Sequence, residues 1–508
     1  MIVKKTDLPD IQKLCVLSFD EMKIRKCYMY DKSNDATMKP YNYVQVAILR
    51  GLVGSWKQPI FYKYDCAMTK EILFEIINYV EGGGFPVVAV VSDLGGGNQG
   101  LHKELGIDTT QTWFINPASN QKVYMFADVP HLIKLLRNHF IDSGFLLNGV
   151  EINKSILEKV IQLTTITDLN IAHKISVDTL NVKGYQRQKV KFATKLFSHT
   201  ISRAISRCGM HGKLTNENWL QCAEFFKDVN DWFDCLNVRV PVPDTRERQK
   251  AYGLSLEIQN AIVDKMTNII TSLRVKGRRA LLPFQKGIII SNTSLKLLYD
   301  DLKSRYNIQY ILTHRLNQDI LENFFGAIRS KGGLHDHPNP LEFRYRLRSY
   351  ILGKNEGSLS DAGNTEIDDT PDLQPPALAD QLLSVQCFSQ LTPQEPQAVN
   401  LTDPLTLELD AVSYDGLENL AGFICFKLKN IEPTVTSSSQ QYFTWVDHLS
   451  EGGLSKPSGQ MMQIMEQLEI IFNSINSGDL LICKGYLRKL LDHATNIDCN
   501  IEIKKLFF

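Results

Sequence analysis

The stretch Val87-Val-Ala-Val-Val-Ser-Asp-Leu-Gly-Gly-Gly-Asn-Gln-Gly100 decides how the first part of the chain is interpreted. Its continuous run of β-branched and apolar residues is typical of a strand buried on both faces in a parallel position. The run ends at Asp93, and a glycine cluster follows. Two hypotheses arise. Residues 95–100 satisfy G-x-G-x-x-G, the pattern of a dinucleotide turn, or Asp93 is a metal ligand and the glycines clear space around the ion.

The dinucleotide hypothesis is the weaker one. Such a turn opens a helix towards a pyrophosphate, inside a β-α-β unit near the start of its domain. Here three predicted strands and a helix come first, and no second β-α-β unit follows. Asp93 would also face the anion instead of helping to bind it. The pattern therefore favours a carboxylate site.

The neighbouring segments predict an α/β core. We interpret residues 13–20, 25–30 and 43–49 as strands, 69–80 as a helix, and 86–91 and 122–126 as two further strands. In a mixed five-stranded sheet of order 3-2-1-4-5, the first and fourth strands are parallel neighbours about 4.8 Å apart. Asp20 and Asp93 would then emerge at one edge and could share Mg²⁺. The alternative, that each Asp only forms a turn, stays open.

The remainder of the chain predicts four further parts. After a first core segment at 1–140, residues 141–305 are mainly helical, and 306–354 contain a further helix. Residues 355–415 are predicted to be a disordered acidic linker, and 416–508 a small helical C-terminal unit. Amphipathic patterns predict helices over 190–205, 218–236, 254–273, 293–306 and 316–330.

Composition and charge restrict the class of protein. The 508 residues are 43% hydrophobic and 22% charged, as in globular proteins. The first residues do not form a signal peptide, and no apolar run approaches the roughly 20 residues that span a bilayer, so we expect an intracellular protein with no membrane partner. The ten cysteines form no C-x-x-C pair, which disfavours a zinc site. Residues 355–426 hold 13 acidic and no basic residues, so the rest carries a positive surplus compatible with a polyanion.

Four stretches carry a resemblance to a known family. They are Ser18-Phe-Asp-Glu-Met22, Val91-Ser-Asp-Leu-Gly-Gly-Gly-Asn-Gln-Gly100, Phe126-Ala-Asp-Val-Pro-His-Leu-Ile-Lys-Leu-Leu-Arg-Asn138 and Leu312-Thr-His-Arg-Leu-Asn-Gln-Asp-Ile-Leu-Glu-Asn-Phe-Phe-Gly-Ala-Ile-Arg329. Together they resemble the ribonuclease-H-like core of P-element and THAP-type DNA transposases of the DDE class. The resemblance implies an α/β ribonuclease-H-like core interrupted by a large all-α insertion domain at 141–305, with 306–354 as the C-terminal part of the core.

The resemblance also implies roles for particular residues. Asp20, Asp93 and Glu322 correspond to the family's catalytic and metal-binding D, D and E, with Mg²⁺ or Mn²⁺ as cofactor and two-metal phosphodiester cleavage and strand transfer as the reaction. Spacing alone could not select Glu322, which lies at the edge of an apolar helical stripe. Asp128 and His131 match a D-x-x-H element, in which His131 could orient a phosphate. Equally, Asp128 could simply cap the helix that follows it.

The helical insertion is a GTP-binding domain in this family. No G-x-x-x-x-G-K-[ST] occurs in the chain, so a nucleotide site here rests on the resemblance alone. Asp231 and Asp319 are the candidate nucleotide-binding carboxylates, and the alternative is that they belong to the wet faces of their helices.

DNA is the implied partner, and a homo-oligomer and a nuclear location are expected with it. Candidate DNA-binding residues are Arg344, Arg346 and Arg348, where basic and aromatic residues alternate, together with the basic stretches 183–191 and 274–279. The chain begins almost directly on the first catalytic strand, so the N-terminal THAP zinc module is not found in this sequence. Two rivals remain: a domesticated, catalytically silent DNA- or protein-interaction module, and a simple ribonuclease-H-type nuclease, which the long insertion disfavours.

Overall fold

A computed structural model describes residues 8–31, 36–38, 40–165, 171–214, 218–242, 246–333, 335–352, 411–427 and 457–476. The strands are β1 (Cys15–Lys23), β2 (Met29–Asp31), β3 (Ala36–Met38), β4 (Tyr43–Gly51), β5 (Lys57–Tyr64), β6 (Val87–Ser92), β7 (Trp113–Ile115), β8 (Lys122–Ala127), β9 (Phe145–Leu147), β10 (Val150–Ile152) and β11 (Arg274–Val275). The helices are α1 (Asp10–Lys13), α2 (Lys70–Gly82), α3 (Gly96–Glu104), α4 (Val129–Asp142), α5 (Ser155–Thr165), α6 (Val177–Leu180), α7 (Val190–Leu196), α8 (His199–Met210), α9 (Trp219–Leu236), α10 (Leu256–Ser272), α11 (Pro283–Tyr306), α12 (Asp319–Ser330), α13 (Pro340–Leu352), α14 (Ala411–Lys427) and α15 (Gly459–Asn476).

The main sheet confirms the predicted ribonuclease-H-like class. Its order is β5-β4-β1-β6-β8-β7. The predicted 1-4-5 part of the order is present as β1-β6-β8, β7 is an added edge strand, and the other two positions are filled by different segments from those predicted. β1 pairs antiparallel with β4 and parallel with β6, and β6 pairs parallel with β8. The first and fourth strands of the predicted order are therefore parallel neighbours, as the sequence indicated.

Two of the predicted strands were placed wrongly. Residues 25–30 do not pair with β1, because β2 forms a separate two-stranded ladder with β3. Residues 43–49, predicted as the third strand of the order, are the second, and the third is β5, which the sequence did not reveal. Its residues are mostly half-buried or exposed and include Pro59, as an edge strand permits. A strand without an apolar run or clean alternation gives no periodic signal.

Hydrophobic residues cover both faces of this sheet. On one face, α2 buries Leu73, Ile76, Ile77 and Val80 against residues of β1 and β6. On the other face, α12 packs Leu321, Phe324 and Ile328 against β1 and β4. Burying side chains of this kind stabilises the fold by roughly 1.5–3 kcal/mol each. The sheet edge between these layers carries the candidate site.

The helical segment returns to the sheet through α11. Ser294 Oγ donates to the carbonyl of Met125 at 2.6 Å, and Ser291 Oγ accepts from the Ala127 amide at 3.0 Å. Gly287 permits this approach, because a Cβ there would lie 2.7 Å from Leu94 Cδ1. The helices predicted over 190–205, 218–236 and 254–273 correspond to α7 with α8, to α9 and to α10.

The described residues form two compact units. One comprises 8–156, 175–202 and 218–352, with their gaps, and the other comprises 157–165, 171–174, 203–214, 411–427 and 457–476. In the second unit, α14 and α15 pack Leu417 and Ala421 against Met461, Met462 and Met465. The predicted linker at 355–415 lies almost entirely outside the described residues, as does much of 416–508, and the predicted domain boundaries stay a prediction. None of the described helices combines the length and the apolar character needed to cross a bilayer.

Candidate active site

Three acidic residues lie side by side in register at one edge of the sheet because the strands that carry or precede them are parallel neighbours. Ser18 pairs with Val91, so continuing that register by two residues brings Asp20 beside Asp93. Ser92 pairs with Ala127, which in turn brings Asp93 beside Asp128. Asp20 does not close its strand as expected, because β1 continues to Lys23 along β4. The predicted meeting of Asp20 with Asp93 nevertheless follows from the observed register.

Asp93 is held by the turn that follows it. Its Oδ1 accepts hydrogen bonds from the Gly95 amide at 3.0 Å and from Asn98 Nδ2 at 2.5 Å. A Cβ at Gly95 would lie 3.2 Å from the same oxygen, which explains a glycine at that position. The carboxylate thus occupies the start of α3, where a dinucleotide would need to place its pyrophosphate. Gly96, Gly97 and Gly100 face open space.

The electrostatics of Asp20 indicate a crowded acidic site. Burial and the neighbouring charge of Asp93 raise the pKa of Asp20 to about 8, and Glu322 and Asp128 add to the effect. A hydrogen bond from the Glu21 amide to Asp20 Oδ1, at 2.7 Å, offsets part of it. Four carboxyl groups from distant parts of the sequence therefore repel one another at this edge, which is where a cation is most strongly attracted.

Asp128 links two helices at the edge of the site. Its Oδ2 accepts from the His131 amide at 2.9 Å, so Asp128 caps α4, as one of the two hypotheses required. Its Oδ1 accepts from the Gln318 amide at 2.8 Å, just before α12. Burial raises the pKa of Asp128. Burial, together with Lys134, lowers the pKa of His131, while Asp93 and Glu322 act in the opposite direction. The imidazole therefore lies within the field of the acidic site.

Gln318 fixes the helix that carries Glu322. Its Nε2 donates to the carbonyl of Phe19 at 2.7 Å, while its backbone amide binds Asp128. Glu322 follows one turn later on α12, at the edge of the apolar stripe, and is partly exposed. Gln318 thus connects β1, the end of β8 and the start of α12. Asp20 lies in β1, Asp128 directly follows β8, and Glu322 lies in α12.

The donor set suits a hard divalent cation. Mg²⁺ and Mn²⁺ prefer carboxylate oxygens, and Asp20, Asp93, Asp128 and Glu322 supply them at one partly exposed edge. A cation would also offset the repulsion that raises the pKa of Asp20. Among the described residues, however, no three His, Cys, Asp or Glu side chains already converge as a metal site. The chemistry of the donors fits a divalent ion, and the side chains would need to turn towards it.

Asp319 and Asp231 have separate partners. Asp319 is buried, accepts from Asn317 Nδ2 at 3.0 Å and lies 3.4 Å from Arg239 Nη2. Burial and Asp128 raise the pKa of Asp319 to about 7, against the effect of Arg239.

Asp231 on α9 accepts instead from three basic side chains. The distances are 2.6 Å from His199 Nε2, 2.9 Å from Arg248 Nε and 3.0 Å from Lys227 Nζ. Burial acts to raise the pKa of Asp231, but the hydrogen bond from His199 and the charge of Arg248 hold it below its usual value. Neither Asp231 nor Asp319 presents an open carboxylate to a base in this arrangement, and their nucleotide-binding role stays a prediction.

The three candidate arginines on α13 differ in exposure. Arg346 is buried, and its guanidinium donates to the carbonyls of Ile328 and Arg329 at the end of α12, at 3.3 and 3.4 Å. That group is committed to capping a helix. Arg344 is partly exposed and Arg348 is exposed, so these two are the members of the set that a phosphate could reach.

The family-like stretch from Leu312 to Arg329 contains several structural residues. Arg315 is buried and donates to the carbonyls of Gly51, Leu52 and Gly54, the last at 2.7 Å. His314 is buried too and bonds the Val238 carbonyl through Nδ1 at 2.9 Å.

Sequence reasoning did not assign Gln318, Asn98 or Arg315 a role. The one sequence signal that they share is that each lies inside a stretch that carries the family resemblance.

Comparison with family models finds matches in three parts of the chain. Residues 2–106 match a TNP-like RNase H N-terminal domain, residues 130–249 a TNP-like GTP-binding insertion domain and residues 314–345 a TNP-like RNase H C-terminal domain. These matches include the segments that carry Asp20, Asp93 and Glu322. Asp128 falls between two of them.

Similar proteins point in the same direction. The chain is 41% identical over 512 residues to the Transposable element P transposase of Drosophila melanogaster, covering 98% of this chain and 66% of that protein. It is 25% identical over 340 residues to DNA transposase THAP9 of Homo sapiens, covering 61% and 36% respectively. A solved Drosophila P element transposase strand transfer complex is similar with a TM-score of 0.67 and 46% identity, over 70% of this chain and 80% of that one. The chain thus spans only part of the length of both full-length relatives.

Proposed function

Because this chain belongs to the P-element transposase family, we propose that it is a DNA-processing enzyme that cleaves and transfers DNA strands. The observation that carries the proposal is the meeting of Asp20, Asp93 and Asp128 on neighbouring parallel strands, with Glu322 within electrostatic reach. The substrate is DNA, the location is nuclear and the active form is a homo-oligomer.

Asp20, Asp93 and Glu322 would hold Mg²⁺ or Mn²⁺, with Asp20 between the other two. The ions would supply activation of a nucleophile and stabilisation of the leaving oxygen in an in-line displacement. Asp128 orients the set, because it fixes both α4 and the residue before α12. His131, at the same edge, donates a hydrogen bond to a phosphate oxygen. Gln318 keeps Glu322 at the site by tying the start of its helix to β1.

A second function is GTP binding by residues 130–249. The match of this segment to a GTP-binding insertion domain supports it. The basic side chains around Asp231 supply groups that attract phosphates, whereas Asp231 itself would have to exchange a partner before it could bind a base. We expect GTP, and not ATP, to raise the melting temperature of the chain. Equal shifts with both nucleotides, or none, would contradict this function.

The main experiment compares the wild type with Asp93→Asn in Mg²⁺- or Mn²⁺-dependent DNA cleavage and strand transfer. We expect the substitution to lower the cleavage rate by about a hundredfold or more, as expected for loss of a group that stabilises transition-state charge. Asp108→Asn is the matched control, because Asp108 is exposed and bonds only within its own turn, to Thr110 and Gln111.

The rival hypothesis is a catalytically silent module. It predicts that the wild type and Asp93→Asn bind DNA equally and that neither cleaves it above background. That outcome would remove the enzyme assignment while leaving DNA binding intact.

A further inference from the structure

Two basic stretches of the helical segment lie far apart in the sequence. Residues 183–191 and 274–279 together contain eight Lys and Arg residues and no Asp or Glu. Most of these side chains are exposed or half-buried, and Lys183, Lys191, Arg278 and Arg279 are exposed. Each stretch alone could be an ordinary solvated face.

The fold brings both stretches to the same place, the end of α4 and the strand after it. Arg187 binds the Asp142 carboxylate through two nitrogens, at 3.0 and 2.5 Å. The Lys276 amide donates to the Gly144 carbonyl at 3.1 Å. The strand before Lys276, β11, pairs with the strand after Gly144, β9. Asp142 and Gly144 are two residues apart, so the two stretches form one basic surface, which we call the α4-end surface.

Two acidic side chains at this surface are already engaged. Asp142 binds Arg187, and Lys276 Nζ lies 2.9 Å from Glu151 Oε1. The two stretches contribute eight basic groups, and these two contacts offset only two of them, so a positive excess remains among the described residues. A surface of this charge attracts a polyanion and releases its counterions on binding.

Tyr185 gives the α4-end surface a feature that a phosphate site alone does not need. It is 70% exposed, and Lys189 Nζ lies 5.2 Å from the centre of its ring. It follows Gly184, whose φ of 56° turns the chain sharply at that point. An exposed aromatic ring among cations is the arrangement on which unpaired bases stack. Bases inside a duplex are not accessible to such a ring.

We propose that the α4-end surface binds an unpaired DNA strand, with its Lys and Arg residues on the phosphates and Tyr185 stacked on a base. The inference rests on the proposed function, because it assigns a position to one strand of the DNA substrate. It gives the two basic stretches a single role and makes Tyr185 the residue that distinguishes single-stranded from duplex DNA.

The test measures DNA binding by the full chain in the presence of EDTA, so that no cleavage is required. The probes are a fluorescent blunt duplex and the same duplex with a single-stranded 3′ extension. We expect Tyr185→Ala to weaken binding of the extended duplex by about 5–100-fold, the loss of one base–aromatic stack, and to change blunt-duplex binding less than about twofold. Tyr185→Phe should restore binding, because the ring is kept.

The charged residues are tested by the dependence of binding on salt. Lys189→Gln and Arg278→Gln should each reduce the slope of log affinity against log salt by about 0.7–0.9, one phosphate contact. The matched controls are Tyr79→Ala, at an exposed tyrosine of α2, and Lys122→Gln, at a lysine 4.5 Å above the Trp113 ring.

Losses for Tyr185→Ala no larger than those for Tyr79→Ala, or equal losses on the two probes, would overturn the proposed strand site. The proposed function is judged separately, by the cleavage assay with Asp93→Asn. If the chain cleaves DNA but the Tyr185 substitution has no specific effect, the strand site is disproved and the proposed function still stands.

Discussion

His314 shows how burial determines the chemistry of a single side chain in this fold. Burial and, to a smaller extent, the charge of Arg50 lower the pKa of His314 to about 3, against the hydrogen bond to Val238. Its Nδ1 donates to the Val238 carbonyl at 2.9 Å, so the imidazole is held neutral in a structural position. His314, within the family-like stretch from Leu312 to Arg329, therefore has a structural role.

The pH dependence of stability follows from this shift. Between about pH 6.5 and pH 3 the unfolded state binds a proton that the folded state does not, so stability is lost as pH falls through this window. We expect His314→Gln to make that loss shallower by up to about 1.4 kcal/mol per pH unit. Chemical denaturation at several pH values measures it. His335→Gln, at an exposed position, should keep the wild-type slope; an unchanged slope in His314→Gln would contradict the assignment.

Gly332 is a position where one added carbon atom, the Cβ of an alanine, would lower the stability of the fold. The Arg346 guanidinium lies against it, and an added Cβ would collide with that group. We expect Gly332→Ala to lower the free energy of unfolding by about 1–3 kcal/mol, because the guanidinium would have to move away and give up its hydrogen bonds to the Ile328 and Arg329 carbonyls. Gly326→Ala is the control, since a Cβ there meets no atom within 4 Å and the site is inside α12. It should be neutral or stabilising. Equal denaturation midpoints for the two variants would refute the argument.

At the scale of elements, the start of α12 is what holds the third carboxylate of the candidate site. We expect Gln318→Ala to lower single-turnover cleavage by about 10–100-fold, because small displacements of a reacting group are costly, while DNA affinity changes less than about twofold. The substitution removes the bond to the Phe19 carbonyl but keeps the backbone bond to Asp128. Gln309→Ala, an exposed glutamine bonded to Asn307, is the control. A parallel loss of affinity and rate would indicate general unfolding instead of misplacement.

Some secondary-structure elements could be predicted from the sequence and others could not. β1, β6 and β8 were predictable because buried parallel strands are continuous apolar runs, and their order placed Asp20 near Asp93. β5 was not predictable, because an edge strand needs no such pattern. Nor could spacing reveal Gln318 or Arg315, whose hydrogen bonds to residues 299 and 261 positions away exist only after folding. Glu322 came from family resemblance alone, since a solvated glutamate at the edge of a helix gives the same pattern.

At the scale of the whole molecule, the candidate site couples parts of the chain that are separated by some 300 residues. Asp20 and Glu322 belong to opposite ends of the main compact unit in sequence and meet only in the folded state. A cation bound by both would therefore bind the folded chain and not the unfolded one. Such a ligand stabilises by about 2.7 kcal/mol when its concentration is a hundred times Kd.

We accordingly expect Mg²⁺ or Mn²⁺ to raise the melting temperature of the wild type, and to do so much less in Asp93→Asn. The effect should grow as pH rises towards about 8 and level off above it, because burial and Asp93 raise the pKa of Asp20 to that value and below it the cation must displace a proton. Without the cation, the sign is reversed: raised pKa values make the folded acid site bind protons that the unfolded chain releases, so stability falls as pH rises from about 4 to 8. Differential scanning fluorimetry across this range, with Asp108→Asn as control, measures both trends. A cation shift that is independent of pH and of Asp93 would mean that the ion binds elsewhere, and the convergence of these carboxylates would then have no bearing on metal binding.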